Sequence, residues 1–427
     1  VFYFKQDYNP FFCLADLTLL AGVCYDVYLI FFTSLFIIFD NYCEATFPTL
    51  LRCVWALVFR KSIGPDSNLL LPNLMNFNSE TDSTVLDFSY QKLEDEFVEF
   101  LSVDKLDRVI AENPRKLEKF NSALEVSLFN AFKNDEGCTH AHLFLQRLLY
   151  RINRLKLFWY DELENYANED STFIFLLRLK IENAWQGWEK NNFAQQNPGN
   201  LSEALRDRVK EDLQPEPSPD GLFIRNEITK AGYQRLLAIA SLDGLVEASQ
   251  LSRMLGGVGN EVQTMLTRIL WEEYGSGKLS RKHSTHFAAM LDECGMDSSP
   301  EAYFDIVPWE VLANINHSFF LSERKKKFLH YIGGLLYTEV SVPAAFQNMK
   351  MAGKRLKMGE KGISYWTVHV REDIRHGQWM LDDVALPLVE KYSEQAWDMV
   401  QGYDQQKFIS ARSTSALVES IRKFEFF

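Results

Sequence analysis

The sequence predicts an all-α protein, a helical bundle in the C-terminal half preceded by a smaller helical domain. Three observations predict it. From about residue 85 to the end, apolar residues recur at three- and four-residue spacing, the period of one helix face. Two breaks rich in proline, glycine and polar residues, QQNPGN at 195–200 and LQPEPSPDG at 213–221, divide that region. The chain has 427 residues and is 47% hydrophobic, enough for a full-sized core and roughly two or three domains at ~150 residues each.

Composition narrows the function. Aromatic residues at 14% and charged residues at 24% exclude a wholly disordered or collagen-like chain. Against 58 acidic residues stand 45 basic ones, a net charge of −13, so nucleic acid is a poor candidate partner. The six cysteines are Cys13, Cys24, Cys43, Cys53, Cys138 and Cys294; none forms a CxxC, and they suggest neither a disulfide framework nor a zinc ribbon. The main body reads as intracellular and reducing, hence cytoplasmic.

Residues 1–63 differ from the rest. They hold ten of the 33 phenylalanines and five tyrosines, and the first methionine of the chain is Met75. Leu17–Phe39 is a mostly apolar stretch of 23 residues with Asp26 inside it. A spanning helix needs ~20 apolar residues, and a central Asp costs about 2.5–3.5 kcal/mol, which the surrounding Phe, Leu and Ile can offset. A basic start and a small-residue cleavage site are lacking, which argues against a signal peptide. Three readings stay open: a membrane anchor or hairpin through 17–39, a buried aromatic-rich appendage, or an extension foreign to the domain. The opening Val1 favours the last. A linker is expected over Gly64–Thr84, which contains GPDSN, LPN and SETDST.

The smaller domain spans 85–195. Helices are expected over Tyr90–Leu101, Leu117–Lys133, Ala141–Tyr160 and Phe173–Asn191. His140 and His142, beside Cys138 in GCTHAH, read as a solvated loop in preference to a metal site. The domain at 222–427 concentrates the chemistry, with six of the eight histidines: His283, His286, His317, His330, His369 and His376. No GxGxxG, Walker A, GxSxG or HExxH motif occurs, so nucleotide binding and serine hydrolysis have no local support.

The strongest element is His369-Val-Arg-Glu-Asp373-Ile-Arg-His376. On a helix, offsets of four and seven return to one face, so these three side chains project together. Trp366 and Met380 continue the same stripe, which makes it apolar and the polar trio expensive unless paired or ligated. N/O ligands of this kind suit iron, manganese or zinc. A satisfied histidine–aspartate network in a helical core is the competing reading. Over Glu261–Gly275 the stripe Val262, Leu266, Ile269 ends on Glu273, with Glu272 expected outside, paired to Arg268. Gly275 and Gly277 break that helix, Ser280 is a candidate cap for the next, and His283 falls in its first turn, with His286 competing for its role. In the helix around Ile332–Val340 the stripe ends on Glu339. In a helix expected over 226–255, Glu247 follows Asp243 by one turn, and there a solvated face is an equal reading. Helical bundles build two-metal carboxylate sites from inward acids on facing helices.

These residues resemble the haem-oxygenase-like non-haem diiron oxidases and oxygenases, the iron-containing redox enzymes. The family pattern is a Glu, a His shortly after, a second Glu, then H-x3-D-x2-H; here Glu273, His283, Glu339, His369, Asp373 and His376 match it. The words WEEYGSGKLSRKHSTHFAAMLDECGM and YWTVHVREDIRHG also look like the family. The resemblance covers 222–427. The ten-residue gap from Glu273 to His283 is similar to the N-oxygenase branch, as is an additional Glu one helix earlier, matched by Glu247. A helical domain ahead of the oxygenase domain is also similar to that branch, where it supports dimerisation. The resemblance implies a haem-oxygenase-like fold, two iron ions, O2 as co-substrate and an external electron donor, with 85–195 as an accessory domain in a homodimer. It further implies N-oxygenation of an amine or guanidine of a small amino-acid-derived metabolite through a peroxo-diferric species. No cupin domain is read after the bundle, so the expectation is confined to that step. Glu273 is expected to bridge, with Glu247, His283 and His376 on one iron and Glu339, His369 and Asp373 on the other. The alternatives are a diiron oxidative lyase or decarboxylase acting on a fatty or amino acid, a haem oxygenase, a hydrolase using Cys294 as nucleophile, and a non-catalytic helical scaffold.

Overall fold

The computed structural model describes residues 89–426, apart from 135–137, 160–161, 194–198 and 258. The apolar segment 17–39 and the linker at 64–84 lie outside the described residues. Among those residues there is no strand, and no helix is long and apolar enough to cross a membrane.

The first helices are α1 (Tyr90–Ser102), α2 (Leu106–Glu112), α3 (Pro114–Phe132), α4 (Thr139–Asn153) and α5 (Thr172–Asn192). Pro114 opens α3, where a missing N–H is no loss. Ser171 caps α5 by accepting from the Ile174 N–H at 3.4 Å. Phe97, Phe120, Leu145 and Trp185 fill the core between these helices. The helix expected over 141–160 ends at Asn153 and passes into a 3-10 turn, Arg154–Lys156. The solvated-loop reading of the two early histidines fails for His142, which lies in the first turn of α4 and is buried, its ring stacked on Trp309 at 4.2 Å.

The next helices are α6 (Leu201–Leu213), α7 (Pro219–Asn226), α8 (Lys230–Gly244), α9 (Ser249–Ser252), α10 (Glu261–Glu273), α11 (His283–Glu293) and α12 (Trp309–Ser322). Then follow α13 (Phe328–Arg355), α14 (Ser364–Trp379), a π-helical turn at Met380–Ala385, α15 (Leu386–Lys391) and α16 (Trp397–Phe426). Side-chain caps set several starts: Asn200 for α6, Ser218 for α7, Thr229 for α8 and Asn260 for α10. The single helix expected over 226–255 is therefore three helices, interrupted at Thr229 and again after Gly244.

Helix α13 is the axis of the bundle, packed against α14 and α16. A Cβ at Gly333 would lie 1.9 Å from the Met399 carbonyl oxygen, so only glycine lets α13 and α16 approach this closely. Leu205 and Val209 of α6, which precedes the expected domain start at 222, pack with Leu266, Leu336 and Tyr403. The helices of 85–195 are tied to α12 by buried amides. Asn153 Nδ2 donates to Asn316 Oδ1 at 3.0 Å, and Asn316 Nδ2 donates to the Gln146 carbonyl at 2.8 Å. Tyr150 of α4 packs among Tyr233, Phe304 and Phe319 of the second core.

Candidate metal centre

Five stretches of chain bring seven acids and imidazoles together: the turn after α8, the end of α10, the start of α11, the middle of α13 and one face of α14. Glu273 is the last residue of α10 and His283 the first of α11. The connection folds back tightly. Gly275 has φ +66°, and a Cβ there would sit 2.4 Å from the Lys282 backbone nitrogen. A side chain at Gly275 would push His283 away from Glu273. Ser280 is no cap; it lies in a 3-10 turn, and Lys282 occupies the cap position. His283 joins the cluster, and His286 does not. Ala248 has φ 59°, an uncommon conformation for alanine, in the turn that carries Glu247 inward.

The first half of the site comprises Glu247, Glu273, His283 and His369. His283 Nδ1 lies 2.6 Å from Glu273 Oε2 and 3.1 Å from His369 Nε2. His369 Nε2 lies 2.8 Å from Glu247 Oε1. His369 Nδ1–H donates to the Tyr365 carbonyl at 2.8 Å, so Nε2 is the nitrogen turned to the acids. The second half comprises Glu273, Asp373 and His376. Glu339 completes it, with Oε2 3.4 Å from His376 Nδ1. His376 Nδ1 is 3.2 Å from Glu273 Oε1 and 3.7 Å from Asp373 Oδ1. Glu273 is the member common to both halves. The two imidazoles exchange places relative to the expected division. Positions 369 and 376 are seven residues apart, so they share a face of α14 but sit two turns apart along it. His369 is therefore level with Glu247, and His376 with Glu339.

The electrostatics are those of acids crowded round imidazoles. Burial disfavours the charged form of His369, but Glu247, Asp373 and Glu273 outweigh it and hold the ring well above its ordinary value. Burial likewise opposes the charge on His376, yet Glu273 and Glu339 raise it to about 11. Glu273 is buried too, and His283 and His376 hold it well below the usual carboxylate range. Asp373 goes the other way, pushed well up by burial and by Glu339 and Glu273. Within this cluster three buried atoms have no hydrogen bond: Glu247 Oε2, Asp373 Oδ1 and His376 Nδ1. Buried polar atoms left without partners are costly in a metal-free core and fit a site built for cations. Carboxylate and imidazole donors in these numbers suit two divalent first-row ions such as iron.

Three supporting residues were missed or misjudged at the level of sequence. Glu272 keeps the expected pair with Arg268 at 3.8 Å but is not confined to the outside: it accepts from His376 Nε2–H at 3.0 Å and from Arg375 at 2.6 Å. It fixes the tautomer that points Nδ1 inward, the place an outer carboxylate takes behind a histidine that could hold a metal. Tyr365 donates its hydroxyl to Glu247 Oε1 at 2.7 Å. Its place four residues before His369, on the same stripe, is the signal that could have found it. Asp243 lies on the wall of a cavity of about 210 Å³ that also opens on Glu247, Glu273, Glu339, His369 and Asp373. Its side chain is exposed on that wall, and the protein packed around it, with the adjacent Glu247, pushes its carboxyl up to about 6.

Residues 234–406, which contain all seven acids and imidazoles, match the model of the family described as iron-containing redox enzymes. A nitrosourea synthase of Streptomyces achromogenes subsp. streptozoticus is 28% identical over 152 residues, 36% of this chain and 32% of that protein. The aligned part thus spans about a third of the length of this curated relative. The donor set lies wholly inside this matched segment, over which the chain is similar to the iron-containing redox enzymes.

Proposed function

We propose that this protein is an O2-dependent non-haem diiron oxygenase that N-oxygenates an amine or guanidine of a small, amino-acid-derived metabolite. The observation that carries the reading is the sharing of Glu273 between two donor groups, each with its own histidine and acids. The similarity to a nitrosourea synthase supports nitrogen as the atom oxidised. Two irons held here would supply the electrons and the open coordination positions that activate O2 for transfer to a nitrogen lone pair.

The protein's own residues prepare that chemistry. Glu273 reaches into both halves, so one carboxylate fixes their spacing. The Tyr365 carbonyl holds the proton of His369 on Nδ1, and Glu272 holds that of His376 on Nε2, so each ring presents a lone pair inward. The Tyr365 hydroxyl restrains Glu247. Trp366, Phe287 and Phe346 pack round Tyr365 and His369, keeping bulk water from one side of the site. The cavity beside Glu273, Glu339 and Asp373 receives the substrate. An external reductant completes the cycle, since the sequence shows no flavin or nicotinamide motif. The helices of 85–195 serve as an accessory, dimerising layer.

The test is anaerobic Fe(II) loading followed by O2 in the presence of candidate amines and guanidines. Expected are two irons per chain and a product with one added oxygen on nitrogen, seen by mass spectrometry with labelled O2. Saturation at one iron, or preference for zinc, removes the diiron reading. Loss of CO2 or formaldehyde from a fatty or amino acid, without an N–O bond, replaces N-oxygenation by oxidative lysis.

A further inference from the structure

The cavity beside the metal centre has an uneven charge. Asp243, Glu247, Glu273, Glu339 and Asp373 all face it, and no lysine or arginine does, among the described residues. Two divalent ions would bring four positive charges, which Glu247, Glu273, Glu339 and Asp373 balance. Asp243 is left over. It belongs to neither donor group, and no hydrogen bond or ion pair engages its carboxylate among the described residues. It sits near the C-terminal end of α8, where the helix carbonyls add further negative potential. Elsewhere the cavity offers neutral groups, among them Asn314 and Gln406, whose side-chain amides are bonded to each other at 2.7 Å. The Asp243 side chain is exposed on the cavity wall, within reach of a group that enters, and a surplus carboxylate among four other acids favours a cation as its partner.

We propose that Asp243 is a specificity-determining residue that pairs with a positively charged group of the substrate, an ammonium or a guanidinium. The inference rests on the diiron reading, because the four other acids must be neutralised for Asp243 to be the surplus charge. An ammonium nitrogen has no lone pair to oxidise. The nitrogen held by Asp243 is therefore distinct from the one that takes oxygen, which needs a free lone pair: a second, neutral amine, or another nitrogen of the guanidinium once that group has lost a proton. The substrate class is a compound with at least two nitrogens, one of them cationic.

Two probes of nearly equal shape separate charge from fit: N-butylguanidinium and neutral N-butylurea. Their binding is measured by calorimetry on the anaerobic Fe(II)-loaded full chain, wild type and Asp243→Asn, with iron per chain determined on each sample. The wild type should bind the guanidinium at least about tenfold more tightly than the urea, as expected for a cation entering a cavity lined by acids. Asp243→Asn should keep its iron and its helical circular dichroism and lose most of that ratio. Equal binding of the two probes by the iron-loaded wild type, binding of neither, or an unchanged ratio in Asp243→Asn overturns the proposal while leaving the diiron reading intact. Loss of iron from Asp243→Asn makes Asp243 a ligand and also overturns it. A wild-type chain that takes up no iron brings down the diiron reading and this inference together.

Discussion

Two pairs of buried histidines in this chain have opposite electrostatics. His369 and His376 on α14 are held above their ordinary value by the acids around them. His142 on α4 is pushed down to about 4 by burial and by Arg412. His317 on α12 is pushed well down, by burial first and by His330 and Arg412 after it. All four are almost wholly removed from solvent. Aromatic rings surround the second pair: His142 lies between Phe132, Trp188 and Trp309, and His317 beside Trp185 and Phe320. The difference lies in the neighbours rather than in the imidazole or its burial. A histidine marks a cation site here only where inward carboxylates converge on it.

The severest way to break that contrast is to remove the carboxylate common to both halves. Glu273→Ala should abolish iron binding at both positions, taking the iron content from two per chain to near none and turnover with it. Glu273→Gln, with the same shape, checks that the loss is one of charge. Retention of one tightly held iron by Glu273→Ala would show that the halves are independent and that Glu273 does not bridge them.

A graded loss should follow from the outer parts of the site. Glu247→Ala removes an acid from the half containing His283 and His369, leaving Glu339, Asp373 and His376 in place. About one iron per chain should remain, and turnover should fall sharply. Glu272→Ala removes the partner of His376 Nε2 together with its outer pairs to Arg375 and Arg268, so affinity in the other half should weaken by about 10–100-fold, as for loss of an outer hydrogen bond to a ligand. Metal titration of the two variants side by side separates these outcomes. Full retention of two irons and turnover by Glu247→Ala would reduce Glu247 to a structural acid and weaken the N-oxygenase reading with it.

The sequence carried most of this site because the helical period is strict. Glu273, Glu339, His369, Asp373 and His376 each replace an apolar residue on a readable stripe, and the structure buries all five. What the period does not encode is position along and between helices. The pairing of His369 with Glu247 depends on the turn after Gly244, where Ala248 adopts positive φ, and the sequence reads there as one continuous helix. The period of α10 alone places Glu272 beside Arg268, whereas its position beside His376 comes from how α10 meets α14. His142 was misjudged for the same reason: Trp309, the ring that covers it, comes from a distant part of the chain.

The two pairs should also respond to pH with opposite sign. In the metal-free protein His376 is raised, so its stabilisation is complete below the unfolded value near ~6.5 and is lost as pH climbs through about 11. His142 is lowered, so the unfolded chain takes up a proton below ~6.5 that the folded chain refuses until about 4. Stability from His142 is therefore present above ~6.5 and lost as pH falls towards 4, on the order of 1–3 kcal/mol. Denaturant unfolding of the metal-free chain across pH, with His142→Phe alongside, checks this. The variant should show a shallower acid limb and an unchanged alkaline one; an unchanged acid limb would remove His142 from the account.

The smallest effect is expected at His317, and it sharpens the contrast most cleanly. Neither of its ring nitrogens has a hydrogen-bond partner, and the residue is completely buried. Its ring lies nearly parallel to Phe320 at 6.4 Å and edge-on to Trp185 at 6.2 Å. A neutral imidazole in such a place carries two unmet polar atoms, each a cost relative to an apolar ring of similar shape. His317→Phe should therefore leave stability unchanged or raise it by about 1 kcal/mol, if the slightly larger ring fits without forcing its neighbours apart. Iron content, the pH dependence of metal uptake and turnover should all match the wild type. The neighbouring Ser318 and Asn314 line the cavity beside Glu273 and Glu339, so the variant also tests whether α12 transmits a disturbance to it. A fall in iron content or in turnover would mean that His317 serves the metal centre from a distance. Converging carboxylates would then no longer suffice to tell the functional histidines from the structural ones.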